Sequence, residues 1–145
     1  NCLCSPDRIK RYHAKISAPL LDRIDMHISV QALSQEELVA PNINPSKQSH
    51  LIREQVIKVR TLQLERQNCL NASLAANTCE KICALGSQEH DFLRQSMLQF
   101  KLSARGYHRL LKVARTLADM NESSQVCLEH LQQALSFRHP LRTPG

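Results

Sequence analysis

The chain has 145 residues, enough for one domain or one domain with part of a neighbour, and its 42% hydrophobic content is sufficient for a core. Nineteen Lys and Arg against thirteen Asp and Glu leave a formal net charge of +6, open to phosphate-bearing partners, while 3% aromatics and no Trp leave little for a base-stacking platform. No apolar run is long enough to cross a bilayer, and the first residues lack a charged start followed by an apolar stretch, so a cytoplasmic protein without a membrane partner is expected.

Three glycines among abundant Leu, Ala, Gln, Glu, Lys and Arg favour a mostly α protein. Ser5-Pro6-Asp7 predicts a helix start, with the helix running over about 6–15. Ser17-Ala-Pro19 restarts the chain in the same way, and Leu20, Leu21 and Ile24 share one apolar face beside Asp22 and Arg23. Met26 to Val30 alternates apolar and polar residues, which predicts a strand whose sheet would lie upstream. Ser34-Gln-Glu-Glu37 matches a capping box and predicts a short helical turn through Leu38. Ala40-Pro-Asn-Ile-Asn-Pro45 reads as a linker, because two prolines and two asparagines in six residues oppose regular structure.

Ser46 then predicts the cap of a long helix to about Arg66, with Ile52, Val56 and Val59 at i, i+4 and i+7. Residues 68–76 read as a connection, 78–85 as a short helix ended by Gly86, and 87–100 as a further helix capped by Ser87. The helix predicted over about 103–120 carries Tyr107, Leu110, Leu111, Ala114, Leu117 and Ala118 as one apolar stripe, with Arg105, Arg109 and Lys112 on the opposite face. A last helix over about 127–137 presents Leu128, Leu131 and Leu135 before Pro140 stops it.

Of six cysteines, those within amphipathic helices read as reduced thiols, and no disulfide framework is expected. Cys2 and Cys4 form a C-x-C pair, too few ligands for a zinc site by themselves but sufficient for half of one. Seven dispersed histidines show no metal-ligand spacing, and no G-x-S-x-G elbow supports nucleophilic hydrolysis. Arg23 and Arg105 stand out differently. A guanidinium is permanently charged and presents a rigid fork of donors, which suits a phosphate oxygen gaining charge during phosphoryl transfer. For Arg23 the structural alternative is an ion pair with Asp22 or Asp25. Arg109, Lys112 and Arg115 form a basic stripe that would face solvent, a partner interface or DNA phosphates.

Cys2-x-Cys4-Ser-Pro, Arg11-Tyr12, Ser17-Ala-Pro-Leu-Leu-Asp-Arg-Ile-Asp-Met-His27, the run from Ser103 to Asp119, and His130 to Arg138 resemble the magnesium-chelatase-like branch of the AAA+ ATPases. Within that branch they are similar to its ComM (YifB-type) competence-associated group. The resemblance spans nearly the whole chain, though residues 31–99 match only in pattern. It implies the C-terminal end of an ATPase core over 1–33, a linker over 34–45, a helical lid over 46–139 and a tail over 140–145. It also implies Arg23 as a finger reaching a neighbour's γ-phosphate and Arg105 as a sensor arginine facing nucleotide of its own subunit.

The sequence has no G-x-x-x-x-G-K-[ST] and no acidic strand end for magnesium, so ATP and Mg2+ belong to a longer parent whose ATPase core lies upstream in the same chain. The implied parent is a homo-oligomeric ring, hexameric, that drives branched DNA. Two other readings stay open, a chelatase-type metal-insertion subunit and a stand-alone helical DNA-binding module.

Overall fold

The computed structural model describes residues 4–36 and 45–138, and its regular structure is helical. Helix α1 (Pro6–His13) has Pro in its first turn, where the missing N–H has no intrahelical role. Helix α2 (Ala18–Leu21) is a single turn in which the Ser17 carbonyl accepts from the Leu20 and Leu21 N–H groups. Asp22 and Arg23 then turn the chain away from the helix.

The strand predicted over 26–30 is not formed, and no strand occurs among the described residues. A strand needs a neighbour for its backbone groups, and here the His27 N–H instead donates to the Phe137 carbonyl at 2.7 Å. A helical turn starts at 35–36, as the capping box predicts. Glu37 and Leu38, most of the linker over 34–45, Cys2 and the tail over 140–145 lie outside the described residues.

Helix α3 (Pro45–Gln67) is the longest element. It begins one residue before Ser46, which therefore sits in the first turn rather than ahead of it. A 3-10 turn (Asn71–Ser73) leads to α4 (Ala76–Cys83), α5 (Ser87–Phe100), α6 (Ala104–Met120) and α7 (Leu128–Ser136). Helix α4 ends earlier than Gly86. Ala84 takes the left-handed turn at φ 44°, and Gly86 instead stands ahead of α5 in extended backbone.

Helix α6 is the hub, packed against α3, the 3-10 turn, α4 and α7, while α5 closes on α7. Leu110, Leu111, Ala114 and Ala118 are buried from its predicted stripe, with Tyr107 and Leu117 half-buried. Leu74, Cys79, Cys83, Leu93, Val126, Leu131, Ala134 and Leu135 complete the core. At the start of α7, His130 Nδ1 accepts from the Cys127 N–H at 3.1 Å and closes a reciprocal cap. The stripe read on α3 behaves differently, because Ile52 and Val56 remain 57% and 48% exposed and only Val59 is half-buried. Contact with α6 comes from the second half of α3, where Arg66 pairs with Asp119, while Gln63 accepts from the Asn71 N–H of the 3-10 turn.

Candidate functional site

Ser103 caps α6, its hydroxyl accepting from the Gly106 N–H at 3.0 Å, and this fixes where the helix begins and where Arg105 points. Arg105 is exposed and lies on an open cleft of about 420 Å³ lined also by His108, Arg109, Lys112, Asp25, Ala72 and Ala76. Three successive turns of one helix thus supply three cations to one concavity, against the single carboxylate of Asp25. Arg109 is ion-paired with Asp25, and Lys112 donates to the Ala72 carbonyl at 2.9 Å. Arg105 has no ion-pair partner among the described residues, so its guanidinium is the available anion-binding group of the cleft.

Arg23 lies in the turn after α2, its N–H donating to the Leu20 carbonyl at 3.0 Å, and its side chain is exposed. The alternative of an ion pair with Asp22 or Asp25 is not realised. Asp22 receives the Ser103 hydroxyl at 2.6 Å and Arg138 Nη2 at 3.1 Å, and Asp25 is taken by Arg109. The two aspartates that flank Arg23 therefore face the helical domain, leaving Arg23 unpaired among the described residues.

Residues 46–138 match the family described as magnesium chelatase, subunit ChlI C-terminal, and residues 1–38 match magnesium chelatase, subunit ChlI. The chain belongs to the magnesium chelatase ChlI family. It is 39% identical to "Competence protein ComM" of Haemophilus influenzae over 138 residues, which is 95% of this chain and 27% of that protein. It is 35% identical to the "Uncharacterized protein YifB" of Escherichia coli over 135 residues, 93% of this chain and 26% of that protein. The chain thus spans about a quarter of the length of the curated relatives it matches.

Within this chelatase-type C-terminal region the third cation of the predicted stripe, Arg115, requires a correction. It is 1% exposed and makes no part of a solvent-facing surface. Its Nε donates to Asp119 at 3.0 Å, and Nη1 and Nη2 donate to the Ser124 and Ser123 carbonyls at 3.0 and 2.6 Å. Arg115 lies between Ala114 and Ala118 on the packed side of α6, so all three guanidinium nitrogens are used internally and none remains for DNA phosphates.

Asp119 is the centre of a network that the sequence reading missed. Arg66 grips it with two bonds of 2.6 and 3.0 Å, and Asn71 donates to it at 2.8 Å. Asn71 also accepts from Gln67 and Arg66, donates to Thr116 and gives its N–H to Gln63. Burial by itself would push the Asp119 carboxyl up, but hydrogen bonds from Arg66 and Asn71 and the charges of Arg115 and Arg66 hold it below the ordinary carboxylate value. The available signal was the i, i+4 spacing of Arg115 and Asp119 amid apolar residues.

Cys79 and Cys83 are free thiols buried in the core, and the side-chain hydrogen bond with Cys79 together with burial pushes the Cys83 thiol far up, keeping it neutral. Cys4 is exposed and Cys2 lies outside the described residues. Among the described residues no three His, Cys, Asp or Glu side chains come together to hold a metal.

Proposed function

We propose that this chain is the C-terminal part of an ATP-driven AAA+ ring motor acting on DNA, with Arg23 as the finger donated to a neighbouring subunit and Arg105 as the sensor arginine of its own subunit. The observation that carries the reading is the division of labour around Arg23. Both flanking carboxylates are engaged by lid-side residues, while the guanidinium between them is exposed and has no ion-pair partner among the described residues. A charge held in that state is available to a phosphate of another subunit, which makes hydrolysis depend on assembly. In this reading 1–33 ends the ATPase core, 34–45 links, 46–139 is the lid and 140–145 a tail. ATP is the substrate. The P-loop and Mg2+ ligands belong to the upstream core of the parent, which assembles as a homo-oligomeric ring, hexameric, in the cytoplasm.

DNA as the acted-on partner, with branch migration during recombination, rests on the similarity to a protein named for competence. Arg109 and Lys112 are the candidate contacts to DNA or to a neighbouring subunit. A second reading, a chelatase-type metal-insertion subunit, is favoured by the family description itself. The test is the ATPase rate of the full-length parent, with and without branched DNA, for wild type and Arg23→Ala. DNA-stimulated turnover that falls by about three to five orders of magnitude in Arg23→Ala is expected. Turnover indifferent to DNA and to Arg23→Ala would overturn both assignments and put the chelatase-type reading ahead.

A further inference from the structure

Four contacts join the segment around Arg23 to the helical domain, and they come from both sides of that arginine. Asp22 receives Ser103 and Arg138, Asp25 receives Arg109, and the His27 N–H donates to the Phe137 carbonyl. Their lid-side partners sit at two places on helices that pack against each other, the first turns of α6 and the end of α7. Arg105 lies among the same first turns of α6, between Ser103 and Arg109.

We propose that Asp22 and Asp25 are positioning residues that clasp the Arg23 turn onto the lid, so that the lid angle set at Arg105 also sets the reach of Arg23 toward the next subunit. The inference rests on the finger-and-sensor reading above and adds the mechanical link between the two arginines. Nucleotide held by Arg105 would fix the α6 start, α6 would fix Asp22 and Asp25, and the turn they flank would carry Arg23 in or out of range.

Two features of the seam fit a contact that opens and closes. His27 Nε2 and Arg138 Nη1 are buried there without a hydrogen-bond partner among the described residues. Unpaired buried polar atoms oppose closure, so the closed clasp is held without being locked. The other feature is Gly106. A Cβ at this position would stand 3.2 Å from Asp22 Oδ1 and 3.3 Å from Arg138 Nη2, so the Asp22–Arg138 pair lies against α6 more closely than a side chain there would comfortably allow.

Gly106 supplies a test that separates the clasp from general damage. Ala is the better helix former, so Gly106→Ala leaves α6 intact while its Cβ presses the pair outward by a few tenths of an ångström. Amide hydrogen exchange of the 145-residue chain reads the clasp at His27. Slow exchange is expected in the wild type, quickening by up to about tenfold in Asp22→Asn, Asp25→Asn and Gly106→Ala while the amides of Leu110 to Ala118 stay protected. Restored protection in the swapped pair Asp25→Arg with Arg109→Asp is expected as well. A His27 amide that is unprotected in the wild type, or indifferent to all three variants, would overturn the clasp.

In the full-length ATPase, Asp22→Asn is expected to lower kcat on the order of 10²-fold with KM for ATP little changed, as a misplaced catalytic group does. Loss of turnover in Arg23→Ala but not in Asp22→Asn would overturn the positioning role alone. Undiminished turnover in Arg23→Ala would instead overturn the finger reading on which it rests.

Discussion

At the scale of single residues, Arg115 and Arg105 show how neighbours on one helix take opposite roles. The ten-residue step from Arg105 rotates Arg115 onto the packed side of α6, where Asp119 and two carbonyls neutralise and bind it. Removing Asp119 would leave that charge buried without its counter-ion. Asp119→Ala is expected to destabilise the chain by about 3–5 kcal/mol in urea unfolding, whereas Arg105→Ala at an exposed position should stay within about 0.5 kcal/mol.

The same carboxylate makes an acid prediction with a definite sign. Its folded pKa is depressed, so its contribution is fully present above the ordinary carboxylate pKa and is lost as pH falls toward the lower folded value. Unfolding free energy followed below about pH 4 should therefore decline in the wild type, and Asp119→Asn should remove part of that slope. The i, i+4 relation of Arg115 and Asp119 is visible in the chain. Arg66 and Asn71 are not, because they approach from α3 and the 3-10 turn, 53 and 48 residues away from Asp119.

At the scale of elements, α6 and α7 were legible because each carries an apolar stripe of helical period that buries against its neighbours, whereas α5 was read from Ser87 as its cap and instead has Gly86 at that place, with Ser87 as its first helical residue. The start of α6 was readable as well. Ser103 both caps the helix and donates to Asp22, so Ser103→Ala should cost about 1–2 kcal/mol and quicken His27 exchange, while an ordinary cap deletion would do only the former.

Two elements departed from their sequence signal, for one reason. The period-two pattern of 26–30 and the apolar stripe of α3 each describe a face that needs a partner, and among the described residues neither has one. Polar substitution of Ile52 or Val56 is accordingly expected to leave stability within about 0.5 kcal/mol, against about 2–5 kcal/mol for Leu110→Ala, by thermal or urea unfolding.

At the scale of the whole molecule, a net charge of +6 on a helical chain invites the idea of an independent DNA-binding module. The net charge is unchanged by folding, but several of the cations that produce it are engaged internally, Arg66 and Arg115 on Asp119, Arg109 on Asp25 and Arg138 on Asp22. The isolated chain is therefore expected to bind DNA only weakly, with Kd on the order of 10⁻⁶ to 10⁻⁴ M and strong salt dependence by fluorescence anisotropy. Nanomolar binding without the rest of the parent would put the independent module ahead of the ring motor.

The amino-acid sequence by itself determined the helical class, the order of the helices in 46–138, the motifs around Arg23 and Arg105, and through them the family. These depend on local periodicity, capping residues and residue order, which are properties of neighbours along the chain. Only the tertiary structure decided which arginines are free. Arg109 meets Asp25 and Arg138 meets Asp22 only because the fold brings together residues 84 and 116 positions apart. Charge is written in the sequence, but its availability is set by which partners the fold delivers to it.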